Sequence, residues 1–312
     1  MRRILLTGAG GFVGSHLVPA LRAAFPDARL IGASRAAVAE GADEAHAFDL
    51  DRMEGAADLV AALRPDAVVH LAAQADVALS FAEPLATWRL NLLGTVALGE
   101  AVLRAAPTAR FVFASSGEVY GLSFQSGLPL DEDAALRPAN PYAASKAAAD
   151  LALAEMAQRG LRAMRLRAFN QVGPGQSPAY VVAAFARQVA RIEAGLQEPV
   201  IRTGALDRWR DFLDVRDACA AYVAALRTDG AGTWNICTGT PRRVGDVLAD
   251  LLALAGVTAE THEEAGRLRP TDIERVFASP RRAATELGWC AAIRWERTLA
   301  DVLADWRGRM DD

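Results

Sequence analysis

The chain is 312 residues long, 52% hydrophobic and 23% charged, which is ample for a sizeable core in one large or two modest domains. A net charge of -4 excludes the strongly basic footprint of a nucleic-acid binder, and no apolar run approaches the roughly 20 residues of a membrane span. Three scattered cysteines, Cys219, Cys237 and Cys290, suggest neither a disulfide framework nor a metal site. The apolar stretch in MRRILLTGAG is too short for a secretory leader, so a cytoplasmic protein is expected.

Residues 3–7 read as an apolar strand that runs into Gly8-Ala-Gly-Gly11-Phe12-Val13-Gly14. HLVPALRAAF then carries Leu17, Leu21 and Phe25 at helical spacing, with Pro19 placed in the early turns, where proline is less costly. Strands are predicted at 29–34, 45–49 and 67–71, with a helix before the last of these. One long helix is predicted over about 85–106, a fifth strand over 110–116, a helix over 141–160 opened by Asn140-Pro141, and a sixth strand over 161–169. Beyond residue 170 come a loop at 173–178, a helix at about 180–195, a strand at PVIRTG and an arginine-rich turn. A helix over 215–227, a strand over 233–238 and further helices with a charged loop around 262–280 complete the chain.

Alternating strands and helices predict a parallel sheet covered on both faces, and continuously apolar strands such as DAVVHL fit that burial. The expected fold is α/β: a Rossmann-like, doubly wound parallel sheet with a smaller interleaved C-terminal substrate domain. Residues 1–169, with about 211–240 returning to them, form the first unit, and 170–312 hold the second.

The glycine-rich turn between a strand and a helix is suited to a dinucleotide. Its glycines admit close approach of a pyrophosphate, and the helix N-terminus favours the negative charge. Gly8, Gly11, Phe12, Val13 and Gly14 are the predicted contacts. The second strand ends in Ser34-Arg35, where an arginine suits a 2′-phosphate and no acid awaits a 2′-hydroxyl; NADP(H) is favoured, with NAD(H) as the alternative. Asp49 and Leu50 are placed towards the adenine, and Leu71, Ala72 and Ala73 towards the nicotinamide side. His70 reads as a core or capping histidine. Ser116 ends the fifth strand, at the carboxyl edge where such sheets bind ligands. Tyr142 and Lys146 share one helix face at i, i+4, so the ammonium is expected to lower the phenol's pKa and make it a proton carrier. Of the 34 lysines and arginines, Lys146 is the only lysine. It is also the only one of the 34 that lies four residues after a tyrosine. In a chain that otherwise uses arginine throughout, the one lysine marks a position where a compact ammonium is expected to be needed.

These motifs, with SSGEVYG (115–121), NPYAASK (140–146), FNQVGPGQ (169–176), RDFLDVRD (210–217), LRPTD (268–272) and LGW (287–289), resemble the extended short-chain dehydrogenases/reductases. The resemblance covers nearly the whole chain, and that branch mostly acts on nucleotide-activated sugars. Within it the chain most resembles the GDP-4-keto-6-deoxy-D-mannose reductases, with the GDP-mannose 4,6-dehydratases as near relatives. The resemblance implies Ser116, Tyr142 and Lys146 as the catalytic triad and Glu118 at the position of a dehydratase base. It also implies Asn170, Arg187, Arg210 and Arg269 as sugar-nucleotide contacts. Gly117 stands where dTDP-glucose dehydratases carry an aspartate, which argues against that activity. The expected function is NADPH-dependent reduction of a C4 keto group to give GDP-D-rhamnose. A 4,6-dehydratase, another sugar-nucleotide reductase or 4-epimerase, and more remotely a non-catalytic NADP-binding regulator are the alternatives. A homodimer or tetramer is implied, built on the helices at 85–106 and 141–160; no metal, membrane or nucleic acid is expected.

Overall fold

Seven parallel strands form the central sheet of the computed structural model, which describes residues 1–264 and 273–309. Six come in sequence: β1 (Arg3–Thr7), β2 (Arg29–Ser34), β3 (Glu44–Ala47), β4 (Ala67–His70), β5 (Arg110–Ser116) and β6 (Arg162–Ala168). Between them run α1 (Phe12–Ala24), α2 (Glu54–Leu63), α3 (Val77–Ala82), α4 (Pro84–Trp88), α5 (Thr95–Ala105) and α6 (Pro141–Gln158). The chain then leaves the sheet through β7 (Asn170–Val172), α7 (Val181–Glu193), β8 (Val200–Thr203) and β9 (Trp209–Asp214). It returns with α8 (Val215–Arg227) and β10 (Gly232–Ile236), and β10 pairs in parallel with β6. The spatial order is β3-β2-β1-β4-β5-β6-β10. The order reverses between β1 and β4, which opens the crevice where doubly wound sheets bind ligands.

Beyond β10 come β11 (Pro241–Arg243), α9 (Val244–Ala255), β12 (Glu260–Glu263), β13 (Arg275–Val276), α10 (Arg281–Glu286) and α11 (Trp295–Gly308). β9 is the hub of a small sheet, pairing with β7, β11 and β13. Three main cores follow. Leu17, Leu21, Leu166 and Tyr222 pack α1 and α8 on one sheet face, closed by Trp234 and Trp289. Val60, Leu98, Val102, Leu153 and Met156 pack α2, α5 and α6 on the other. Phe185, Phe212, Leu248 and Trp306 join α7, α9 and α11.

Three expectations need correction. The helix over 85–106 is not continuous: a π-helical turn, Arg89–Gly94, separates α4 from α5. The wider turn carries Asn91 inward, to 1% exposure, where its side chain bonds Gln74 and Ser145. A Cβ on Gly94 would come within 3.0 Å of Leu50. π-turns of this kind gather at functional sites. Pro19 lies in the middle of α1 rather than its early turns, and it is tolerated there on the exposed face. The arginine-rich segment is a turn only as far as Arg208. Its later residues are β9, with Asp211 fully buried.

Candidate active site

The carboxyl ends of β1, β4 and β5 are aligned by register, Thr7 opposite His70 and His70 opposite Phe113. β5 runs three residues further, to Ser116. The glycine-rich turn sits on this edge. Gly8 has φ +75°, and a Cβ there would lie 2.7 Å from the Ala72 nitrogen. On Gly14 a Cβ would lie 2.4 Å from the Ala9 carbonyl oxygen. Gly11 caps α1, and among the described residues no side chain caps that helix start, which leaves its first-turn N–H groups available to an anion. The cradle and the uncapped helix fit a dinucleotide pyrophosphate, with the Leu71–Ala73 segment adjoining them. Ser34 is tied to Val38, accepting from its N–H and donating to its carbonyl at 3.0 Å each, and Arg35 is exposed beside it. Asp49 and buried Leu50 follow β3, with Leu50 against the π-turn.

Ser116, at the end of β5, accepts from the Glu118 N–H at 3.1 Å, and its hydroxyl favours the ionised form of the Tyr142 phenol. Asn140 caps α6 by accepting from the Ala143 N–H at 2.7 Å, and its amide donates to Glu118 at 2.9 Å. One residue thus starts the helix that carries Tyr142 and Lys146 and also fixes the acid beside them. Lys146 is 3% exposed, and its ammonium sits 4.6 Å from the Phe113 ring centroid, a cation–π arrangement.

The electrostatics differ from the sequence expectation. Burial pushes the Tyr142 phenol above its ordinary range, and the Ser116 hydroxyl only partly opposes this. Burial also pulls Lys146 down to about 7, against the pull of Asp150. The expected lowering of the tyrosine by the ammonium is not seen: desolvation dominates, and Ser116 rather than Lys146 is the group that opposes it. The phenol stays protonated at neutral pH. His70 is a core residue, as read from the sequence; burial brings it down to about 3.

Behind the site, Asp150 is fully buried and accepts from Ser115 (2.7 Å), Arg165 (3.0 Å) and Arg167. Arg167 also donates to the Tyr120 hydroxyl at 2.9 Å, which in turn donates to Asn235 on β10 at 2.7 Å. Of the predicted sugar-nucleotide contacts, Asn170 opens β7 opposite Phe212. Arg210 on β9 donates to the carbonyls of Trp209 and Ile273, both at 2.8 Å, and so ties Ile273 to β9. Arg187 on α7 lies over the Trp306 ring of α11 at 5.9 Å. Arg269 and the whole LRPTD segment lie outside the described residues. Trp234, Trp289 and Trp295 are buried packing residues. Asn91, Asn140 and Asp150 were not singled out as site residues. Only Asn140 had a signal, the Asn-Pro pair that starts a helix.

Residues 5–302 match the family model described as GDP-mannose 4,6 dehydratase. The chain is 36% identical to the GDP-6-deoxy-D-mannose reductase of Pseudomonas aeruginosa, over 99% of this chain and 98% of that one. It is 32% identical to the dTDP-glucose 4,6-dehydratase of Mycolicibacterium smegmatis, over 97% and 92%. Among solved structures, RMD from Pseudomonas aeruginosa complexed with NADPH superposes with TM-score 0.86 at 36% identity, over 99% and 98% of the two chains. The Thermus thermophilus UDP-glucose 4-epimerase complex with NAD gives TM-score 0.86 at 32% identity, over 98% and 99%.

Proposed function

The chain belongs to the GDP-mannose 4,6-dehydratase family of extended short-chain dehydrogenases/reductases, and from that membership we propose that it reduces the C4 keto group of a nucleotide-activated 6-deoxy sugar with NADPH. The substrate proposed is GDP-4-keto-6-deoxy-D-mannose and the product GDP-D-rhamnose. Full-length similarity to a reductase of that name supports this substrate. That similarity is the observation that carries the reading, and Tyr142, which burial keeps in its protonated form, is suited to the proton donation that a reduction needs.

NADPH, when bound, supplies the hydride for C4. Ser116 holds the keto oxygen, and Tyr142 gives its proton to that oxygen as charge develops. Lys146, as an ammonium, steadies the resulting phenolate and the nicotinamide ribose. Glu118 and Asn140 set the start of α6 and hold the hydroxyls in place. Gly8, Gly11, Phe12, Val13 and Gly14 hold the pyrophosphate, Asp49 and Leu50 the adenine side, and Leu71, Ala72 and Ala73 the nicotinamide side. Asn170, Arg187, Arg210 and Arg269 bind the sugar nucleotide. Residues 1–169 with 211–240 then form the dinucleotide unit, and the remainder forms the substrate unit. A dTDP-glucose-type dehydratase is disfavoured sterically. The Phe169 ring would stand 2.7 Å from a Cβ on Gly117, leaving no room for an acid there.

Incubation with GDP-mannose alone should yield no product. Adding a GDP-mannose 4,6-dehydratase and NADPH should start NADPH consumption and release GDP-D-rhamnose. A keto sugar formed from GDP-mannose alone would make the chain the dehydratase instead.

Two further outcomes are expected. Arg35→Asp should lower kcat/KM for NADPH by at least about tenfold, by setting a carboxylate against the 2′-phosphate, while leaving NADH within about threefold. Equal losses on both cofactors would show that Arg35 does not read the phosphate. Phe81, Leu85, Leu93 and Leu151 are 46%, 79%, 46% and 59% exposed, on α3, α4, the π-turn and α6, which pack together. Such a face suits a two-fold partner. We place the protein in the cytoplasm as a homodimer or tetramer; no described helix is long and apolar enough to cross a membrane. Leu151→Glu should lower the mass measured by light scattering to that of a monomer.

A further inference from the structure

His70 can take only one tautomer. The Thr95 hydroxyl donates its proton to the Asn91 carbonyl at 2.7 Å, so at 3.0 Å from His70 Nε2 it must accept. Nε2 therefore carries the imidazole proton, and Nδ1 accepts from the Thr7 hydroxyl at 2.7 Å. Thr7 Oγ1 in turn takes the Ala72 N–H at 3.4 Å. Every donor meets an acceptor with the ring neutral, and a second ring proton would face the Thr7 hydroxyl head-on. Full burial works in the same direction.

The two ends of this chain of bonds are informative. Thr7 immediately precedes the glycine-rich turn. Asn91 accepts from the Gln74 N–H at 2.8 Å and donates to the Gln74 carbonyl at 2.9 Å and to the Ser145 hydroxyl at 3.0 Å. Ser145 immediately precedes Lys146, and its hydroxyl donates to the Tyr142 carbonyl at 2.8 Å. His70 also stacks on Phe113, ring centroids 5.8 Å apart and planes 28° apart. The Lys146 ammonium lies over that same ring. β1, β4, the π-turn and α6 are thus joined by one continuous set of bonds through a single imidazole.

We infer that His70, locked in its Nε2–H form, is a positioning residue that sets Lys146 in register with the glycine-rich turn. Its link to turnover rests on the role proposed above for Lys146, but its link to the lysine's environment does not. Breaking the chain at Thr95 frees the π-turn from β4. Water then reaches the ammonium, and the burial that depresses its titration weakens.

The lone lysine makes this directly measurable, because selective labelling gives one side-chain ammonium signal by NMR. In Thr95→Val the Lys146 midpoint should climb by at least about one pH unit from its wild-type value. The kcat should fall on the order of tenfold, with the KM for NADPH within about twofold. Thr95→Ser keeps the hydroxyl and should restore both. A Thr95→Val midpoint equal to wild type overturns the inference, whatever the activity. A wild-type protein inactive on every sugar nucleotide would refute the functional reading and leave the lysine titration to decide this one. Should Thr95→Val not fold, Thr7→Val breaks the other end of the same chain and must shift the lysine in the same direction.

Discussion

Replacing Lys146 by arginine is expected to lower turnover by at least about 10²-fold, because losing correctly placed proton transfer typically removes 10²–10⁴ of rate. The charge survives the substitution, so a surface role would leave activity almost intact. Lys146 instead lies in a buried slot against Phe113 with 3% exposure, and a guanidinium is wider and flatter than an ammonium. Forcing it in should also lower stability by about 1–3 kcal/mol, the usual range for overpacking. Tyr142→Phe separates the two effects, since it removes only a hydroxyl. It should show the same rate loss with little change in melting temperature. The double variant should be little slower than either single one, because groups that act as a unit are not additive. Turnover of Lys146→Arg close to wild type would overturn the mechanism.

Gly14→Ala should have the other large effect, at least about 10²-fold weaker NADPH binding by titration of the purified protein. The new Cβ would lie 2.4 Å from the Ala9 carbonyl oxygen and 2.5 Å from that of Gly8. Both are backbone atoms of the turn itself, so α1 has to move off the strand and carry its N-terminus away from the pyrophosphate. A misplacement of about 1 Å is enough for a loss of this size. Gly55, where a Cβ meets nothing within 4 Å, is the matched control: Gly55→Ala should bind NADPH normally. Wild-type affinity in Gly14→Ala would show that the turn does not carry the cofactor.

Much of this architecture is legible in the residues. Continuous apolar strands alternating with helices specify the parallel sheet, and the glycine-rich turn and the solitary lysine mark the crevice. Elsewhere the deciding contacts are distant in sequence. Leu92 and Val96 keep the i, i+4 spacing of an ordinary helix, so their pattern does not reveal the π-turn; Asn91 shapes it by bonding Gln74 and Ser145. β9 is disguised by its charges. Asp211 is buried because the Thr238 and Gly239 N–H groups, from the far end of β10, surround its carboxylate, and burial raises it to about 6. Asp150 sits in an alanine-rich helix with no local hint of burial, and its partners Arg165 and Arg167 come from the next strand. The pKa of Tyr142 escapes the motif for a related reason. An i, i+4 spacing reports the neighbouring charge, whereas desolvation depends on the whole fold.

The late return of β10 has a consequence for biosynthesis. Until Ile236 has left the ribosome, β6 is an open sheet edge from Met164 to Ala168, the stretch that β10 covers. During that interval Tyr120 and Arg167 lack their link to Asn235, and the apolar face waits for Trp234 and, later still, Trp289. Unpaired edges of this kind template association between chains. Nascent chains therefore spend the making of the whole excursion from β7 to α8 in an aggregation-prone form. A fragment ending near residue 169 would stay in that form permanently, however complete its cofactor-binding residues.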